Sequence, residues 1–174
     1  MDLNEHATSV GKLLGNLQSL EFLLRVFLAK STEARGDGKD ARTDLFSMPI
    51  GAVLPADQLT NYDSLDTLIA KFNARAEQDG FAILDKRIVA LRDALAHGRV
   101  AAKVEGGNMH IVKFDRPSNE TVRVTYHEVM TKDWFDRERK VLFEAVVRVH
   151  KLVDAYHVAP PDSLPEARNG SVPS

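Results

Sequence analysis

A chain of 174 residues is long enough for one domain with a hydrophobic core and short for two. Hydrophobic residues make up 44% and charged residues 28%, and the formal net charge is −2, so the surface as a whole is not built to coat a nucleic acid. Cysteine is absent, which excludes disulfides, thiol catalysis and cysteine-bound metals. No stretch approaches the roughly 20 apolar residues of a membrane helix, and the N-terminus does not resemble a signal peptide. We therefore expect a cytoplasmic protein without a membrane partner.

The first half of the chain predicts two helices separated by a long connection. Residues 31–44 are polar and rich in glycine and charge, which indicates a mobile loop, and residues 45–55 indicate an irregular connection. A second helix is predicted over residues 65–77, with Ser64 as its N-cap. The first helix is predicted over residues 4–30, because apolar residues recur there at spacings of three and four: Val10, Leu13, Leu14, Leu17, Leu20, Leu24, Phe27 and Leu28.

The second half predicts two more helices with a small sheet between them. A third helix is predicted over residues 81–97, with its apolar stripe on Leu84, Ile88, Leu91 and Leu95. Residues 99–104, 109–114 and 121–127 alternate in polarity and predict three short antiparallel strands, a meander over 99–127. A last helix is predicted over residues 133–157 with Asp133 as its N-cap, followed by a disordered tail over 159–174. The predicted fold is mainly α: a four-helix bundle in one domain, 1–158, with the meander inserted before the last helix.

The segment RDALAHG, residues 92–98, carries an arginine and a histidine near the end of the third predicted helix. On a helical projection the apolar stripe forms one face, and Arg92 lies on a neighbouring seam with Phe81, Asp85, Val89 and Ala96. A simpler interpretation is an ordinary helix ending, in which His97 interacts with the free carbonyls, Gly98 stops the helix, and Asp93 pairs with His97. That interpretation leaves Arg92 unexplained.

RDALAHG at the end of the penultimate long helix resembles the Arg-x(4–6)-His signature of the HEPN family (higher eukaryotes and prokaryotes nucleotide-binding), and the outline of the domain resembles that family from about residue 5 to 157. The resemblance implies a two-fold dimer whose motif helices line one cleft, and in many members a metal-independent ribonuclease. His97 would then be the general acid/base at the ribose 2′-hydroxyl, and Arg92 would bind the scissile phosphate, giving a 2′,3′-cyclic phosphate. Asp93, where many members have asparagine, would orient His97, and Glu21 of the first helix would border the cleft. An ion pair of Glu21 with Arg25, four residues later, is the simpler interpretation of Glu21.

Charge around the motif is locally positive. Between residues 85 and 103 there are five basic and two acidic side chains, a sum of +3, so the rest of the chain sums to −5. A positive patch on an acidic body fits local phosphate binding, and we expect Arg87, Arg99 and Lys103 to contact phosphate or RNA. A solvated helix face is the alternative interpretation.

No sequence motif predicts a cofactor or a metal, since H-E-x-x-H, G-x-G-x-x-G, the P-loop and G-x-S-x-G are all absent. Two functional hypotheses follow. The first is an RNA-cleaving homodimer, associated through the motif helix, with a toxin or defence role and an antitoxin protein as a partner. The second is a catalytically inactive dimer of the same fold that binds a nucleotide, RNA or protein, with Arg92 and His97 packed at the interface.

Overall fold

The computed structural model describes residues 1–33, 45–102 and 107–158 of the chain. These contain four α-helices, α1 (Leu3–Glu33), α2 (Leu65–Gln78), α3 (Arg87–His97) and α4 (Lys132–Val158), a 3₁₀ turn (Leu45–Ser47), and three strands, β1 (Arg99–Ala102), β2 (Met109–Phe114) and β3 (Val124–Val129). The prediction of a mainly helical chain with a small antiparallel sheet before the last helix is confirmed. The start of the mobile loop predicted over 31–44 is wrong, because residues 31–33 still belong to α1. Residues 34–44, the end of the first predicted strand with Lys103, and the tail predicted over 159–174 lie outside the described residues.

The described residues form two compact units. The first combines residues of Met1–Glu21 with residues of Asp85–Arg148, and the second combines residues of Phe22–Leu84 with those from Val149 onward. The RDALAHG motif and the whole sheet belong to the first unit. The single domain 1–158 and its arrangement as a four-helix bundle stay predictions.

Helix α1 has the amphipathic character that its spacing predicts. Asp2 and Glu5 begin it as a capping box, in which the Glu5 N–H donates to Asp2 Oδ1 at 2.8 Å and the Asp2 N–H donates to Glu5 Oε2 at 3.1 Å. The predicted stripe is buried at Leu13, Leu17, Leu20, Leu24, Phe27 and Leu28. The prediction is wrong for Leu14, which is 42% exposed, and Val10 is only half-buried. None of the described helices combines the length and the apolar character needed to cross a membrane.

Helix α2 begins and ends on recognisable caps. Ser64 is its N-cap, as predicted, and accepts a hydrogen bond from the Thr67 N–H at 3.3 Å. At the other end the Phe81 N–H donates to the Ala76 carbonyl at 2.7 Å and the Gly80 N–H donates to the Glu77 carbonyl at 3.2 Å. Gly80 has φ of +74°, so this is a Schellman ending that only glycine adopts without strain.

The start predicted for the third helix, residue 81, is wrong, because α3 begins at Arg87. The side chain of Asn73 in α2 holds the backbone of Leu84: its Nδ2 donates to the Leu84 carbonyl at 2.9 Å and its Oδ1 accepts from the Leu84 N–H at 2.8 Å. Both backbone groups of Leu84 are therefore satisfied outside a helix. Asp85 then accepts from the Arg87 N–H at 2.8 Å and so begins α3.

Because α3 is shorter than predicted, it contains fewer of the residues that the helical projection assigned to the apolar stripe and to the seam around Arg92. Its buried residues are Ile88, Leu91 and Ala94, and Leu95 is half-buried. Phe81 and Asp85 precede the helix, so the seam that was predicted around Arg92 keeps only Val89 and Ala96.

The sheet is a meander in the order β1-β2-β3 with antiparallel pairing. Strand β2 has its predicted bounds. The bounds predicted for the third strand, 121–127, are wrong, because β3 runs from Val124 to Val129 and so begins three residues later and ends two residues later. Ser118 and Thr121 form an isolated bridge across a two-residue turn in which Asn119 (φ 50°) and Glu120 (φ 61°) are left-handed. Because Thr121 closes this turn by pairing with Ser118, the regular pairing of the third strand with β2 begins only at Val124.

Helix α4 begins one residue before the predicted cap. Its N-cap is Thr131 rather than Asp133, because the Trp134 N–H donates to Thr131 Oγ1 at 3.1 Å. Asp133 lies in the first turn, where a carboxylate stabilises the helix dipole. Trp134 and Phe135 are buried in the first unit, with ring centroids 4.8 Å apart.

Candidate functional site

The motif occupies the last turns of α3, and its glycine is required by space. His97 is the last helical residue, and Gly98 follows with an extended backbone (φ −73°, ψ 163°) while its N–H donates to the Ala94 carbonyl at 2.7 Å. A Cβ at position 98 would lie 2.3 Å from the Ala94 carbonyl oxygen and 3.1 Å from Ile111 Cγ1 of β2. The helix stops where predicted, but glycine is needed for the close approach of α3 to the sheet and not for a left-handed turn.

Arg92 belongs to an ionic chain, Arg92–Asp93–Lys113. Arg92 Nη1 lies 3.2 Å from Asp93 Oδ1, and Lys113 Nζ lies 3.4 Å from Asp93 Oδ2. The side chains of Arg92, Asp93 and Lys113 are 39%, 36% and 26% exposed, so this ionic chain lies at the surface of the first unit, in contact with solvent. Two cations and one carboxylate leave a local charge of +1.

Lys113 was not singled out from the sequence. It lies on β2 two residues after Ile111, on the side of the sheet that faces α3. A lysine between the apolar residues Val112 and Phe114 of this strand was the available signal. Its ion pair with Asp93 could not be predicted without knowing that β2 packs against α3.

His97 is exposed, and among the described residues no hydrogen bond or ion pair engages its imidazole. Asp93, four residues earlier, directs its two carboxylate oxygens to Arg92 and Lys113 instead. The surface pair Asp93–His97 that the helix-ending interpretation included is therefore not formed. A role for Asp93 in orienting His97 stays a prediction.

Arg92 and His97 point in different directions from one helix. Five residues separate them in α3, which corresponds to a rotation of about 140° and a rise of about 7.5 Å. Neither side chain hydrogen-bonds the other in the described part of the chain. One copy of α3 thus presents the guanidinium and the imidazole on separate surfaces.

The remaining predicted site residues are spread along the first unit. Glu21 lies on α1 and is half-buried. Arg87 is exposed at the first turn of α3, with its Nε 3.6 Å from Asp85 Oδ2, and lies at the opposite end of the helix from His97.

Arg99 begins β1, and its guanidinium carbon lies 5.1 Å from the centroid of the Phe114 ring. This is a cation–π distance, so Arg99 stacks on an aromatic side chain of the next strand. Sequence reasoning predicted Arg99 as a phosphate contact and missed Phe114, which the β1–β2 register brings beside it. Lys103 lies outside the described residues.

A second polar cluster lies where β3 meets the start of α4. Burial raises the pKa of Tyr126 to about 12, and the nearby carboxylates of Glu138 and then Glu128 add to the rise. Buried Glu138 accepts a hydrogen bond from Arg137 Nε at 2.9 Å. The Tyr126 phenol therefore stays protonated at neutral pH and acts as a hydrogen-bonding group, not as a base.

No group of three or more histidine, aspartate or glutamate side chains with the spacing of a metal site occurs in residues 1–33, 45–102 and 107–158. Two histidines, His110 and His127, do lie together across β2 and β3, with Nδ1 of the first 3.3 Å from Nε2 of the second. In comparisons with known proteins, no family model, curated protein or solved structure matches the chain.

Proposed function

We propose that this chain is a metal-independent endoribonuclease of the HEPN type, in which His97 and Arg92 carry the chemistry. The observation that carries the proposal is the accessibility of both side chains at the end of α3, with an imidazole that no other group of the described residues engages. A general base must be free to approach the proton that it removes, and histidine titrates near neutrality.

The reaction needs only groups that RNA and this motif supply. A neutral His97 imidazole accepts the proton of the ribose 2′-hydroxyl, and the oxygen attacks the adjacent phosphorus. The P–O5′ bond breaks, a protonated imidazole returns a proton to the leaving oxygen, and the products are a 2′,3′-cyclic phosphate and a 5′-hydroxyl. The Arg92 guanidinium stabilises the extra negative charge on the phosphorus oxygens.

The ionic chain supports phosphate binding at Arg92. Asp93 alone would repel an anion, but Lys113 compensates its charge, so Arg92, Asp93 and Lys113 together remain at +1. Only Nη1 of the guanidinium contacts Asp93, which leaves the other guanidinium nitrogens outside that pair. Arg87, Arg99 and Lys103 would extend the positive surface along the substrate.

The directions of the two side chains support the proposal of a homodimer. Because Arg92 and His97 diverge by about 140° on one helix, one phosphodiester is reached more readily by residues from two copies of α3. A two-fold dimer would set both pairs around one cleft, bordered by Glu21, and would supply one imidazole as base and the other as acid. A toxin or defence role, with an antitoxin protein covering the cleft, fits an enzyme of this kind.

The ionic chain also favours a second candidate, a catalytically inactive dimer of the same fold that binds a nucleotide, RNA or protein. In that case the Arg92–Asp93–Lys113 chain is structural, because it ties α3 to β2. His97 would then pack at the dimer interface and carry no chemistry.

Cleavage of single-stranded RNA in EDTA separates the two candidates. We expect the wild type to cut, and Arg92→Ala and His97→Ala to cut at least about 100-fold more slowly. His150→Ala, which removes an exposed histidine paired with Asp154 on α4, is the matched control and should cut normally. If the wild type does not cut, or if His97→Ala cuts normally, the ribonuclease proposal is excluded. If the wild type does not cut and His97→Ala loses the dimer, the result supports the catalytically inactive dimer.

A further inference from the structure

The two faces of the sheet differ in burial and in composition. One face packs against α3 and the start of α4, with Ile111 fully buried beneath Gly98 and Lys113 paired to Asp93. The strand register puts the other set of side chains together on what we call the open face: Arg99, Ala101, His110, Val112, Phe114, Val124, His127 and Val129. None of these eight residues is buried, and Val124 is 53% exposed.

Half of the open face consists of planar groups that stack on nucleic-acid bases. Arg99 and Phe114 form one pair, with the guanidinium 5.1 Å from the ring centroid. His110 and His127 form a second pair, with ring centroids 5.6 Å apart and planes inclined by 25°. Phenylalanine, histidine and arginine planes are the side chains on which splayed-out RNA bases stack.

The open face carries no carboxylate among its eight residues. Glu128, the acidic residue of β3, alternates to the opposite face, where it lies 4.0 Å from Arg137. The charge of the open face is therefore that of Arg99, together with any proton on the two imidazoles. A surface that is cationic, aromatic and free of acids matches a polyanion with exposed bases.

The open face begins next to the motif. Gly98 alone separates His97 from Arg99, and its extended backbone places their Cα atoms on the order of 7 Å apart. The Arg99–Phe114 pair is thus the end of the face nearest to His97. His110 lies four residues before Phe114 on β2, about 13 Å from it, and His127 pairs with Val112, the residue that also pairs with Arg99.

We propose that the open face binds single-stranded RNA, with one stacking position at Arg99–Phe114 and a second at His110–His127. This deepens the ribonuclease proposal and rests on it for the choice of RNA, since the bound strand is the part of the substrate that leaves the cleft beside His97. Single strands are favoured over duplexes because stacking on a sheet needs bases that are not paired.

A binding assay without cleavage tests this surface directly. The probe is a fluorescein-labelled, fully 2′-O-methylated RNA of about 12 nucleotides, which lacks the nucleophile of the proposed reaction, and the readout is fluorescence anisotropy. We expect Phe114→Leu to bind about 5- to 150-fold more weakly than the wild type, the range that corresponds to the loss of one stacked base. Phe143→Leu, the same substitution at a phenylalanine of α4 that is 62% exposed, is the control and should bind like the wild type.

Arg99→Gln provides a second test at an exposed residue, should Phe114→Leu lower the thermal midpoint. It should weaken binding and reduce the dependence of the affinity on salt. Equal affinity of the wild type, Phe114→Leu and Arg99→Gln would overturn the proposal. Failure of the wild type to bind the probe would also overturn the proposal. If that non-binding wild type is an oligomer that Phe114→Leu dissociates, the open face is covered by a second copy of the chain and not by RNA.

Cleavage of unmodified RNA by the same proteins distinguishes the two proposals. Binding to the methylated probe that depends on Phe114, in a protein that never cuts, overturns the ribonuclease and retains the open face as an RNA-binding surface. Cleavage that depends on His97, with no effect of Phe114 or Arg99 on binding, overturns the open face and retains the ribonuclease.

Discussion

Lys113 Nζ lies 3.4 Å from Asp93 Oδ2, so an amino group on β2 compensates the carboxylate that follows Arg92 in the motif. A carboxylate beside Arg92 is unfavourable for the phosphate binding that we propose there, unless another cation is near. The lysine lies on a strand that begins twelve residues after His97, and it reaches the motif only because β2 packs under α3. The electrostatics of the site therefore depend on the meander as well as on the helix.

Replacing Asp93 with asparagine should strengthen RNA binding. Asp93→Asn raises the local charge from +1 to +2 and leaves Arg92 and Lys113 without their shared anion. We expect the methylated RNA probe to bind about two- to fivefold more tightly at low salt, and the gain to fade as salt screens it. The measurement is anisotropy at two salt concentrations.

The control for this charge change is Asp63→Asn, which removes a carboxylate that lies 2.6 Å from Lys71 Nζ in the other unit. It alters the net charge of the chain by the same amount away from the motif. Equal tightening in both variants would mean that binding responds to the net charge of the protein and not to the site at Arg92.

Gly98→Ala should destabilise the protein. The new Cβ would lie 2.3 Å from the Ala94 carbonyl oxygen, so α3 or β2 must shift to accept it. We expect the free energy of unfolding in urea to fall by about 1–3 kcal/mol, the range for overpacking. Gly11→Ala on α1, where no atom lies within 4 Å of an added Cβ, should instead raise it by about 0.5–1 kcal/mol; a neutral Gly98→Ala would contradict the close packing of α3 on the sheet.

Asn73→Ala should destabilise the segment before α3. It removes both hydrogen bonds to the Leu84 backbone and leaves that carbonyl and N–H, beside a buried side chain, without their partners. The expected loss in the free energy of unfolding is about 1–3 kcal/mol. Asn73→Asp keeps the acceptor for the Leu84 N–H and loses only the donor, so it should fall between alanine and the wild type in the same urea titration.

Stability should fall at alkaline pH because of Tyr126. The pKa of Tyr126 is about 12 in the folded state, above the value of 10.0 in the unfolded state. The protonated phenol therefore makes its full contribution to the free energy of unfolding below pH 10, and this contribution is lost as the pH rises to 12. The loss is at most roughly 2–3 kcal/mol. Unfolding in urea between pH 9 and 12 measures it, and Tyr126→Phe should decline less steeply over that window; parallel curves for the two proteins would contradict the assignment.

The elements that local pattern determines could be predicted from the sequence. The periodicity of α1, the Ser64 cap of α2, the bounds of β2 and the stop at Gly98 all depend on residues a few positions apart. The start of α3 could not be predicted, because Asn73, eleven residues before Leu84, satisfies the backbone that an extended helix would have used. The start of β3 was missed because nothing in the apolar alternation of residues 121–127 reveals that Thr121 closes the preceding turn.

The candidate site was predictable only where it is local. RDALAHG indicates Arg92 and His97 by spacing, and both lie at the end of α3. Lys113 compensates the charge of Asp93, and Phe114 is the aromatic partner of Arg99. Both residues come from a strand whose register the sequence does not specify. Whether an alternating strand exposes its odd or its even residues depends on what packs on it, and Gly98 against Ile111 decides that here.

The contact of Gly98 with the Ala94 carbonyl has a consequence for protein engineering. A chimera that exchanged the meander for another loop would have to be joined at or near position 98, where no side chain fits. Any such graft therefore has to keep glycine at this position. A graft of residues 87–129 together, rather than of RDALAHG alone, is the smallest fragment that would transfer the charge, the spacing and the open face to another scaffold.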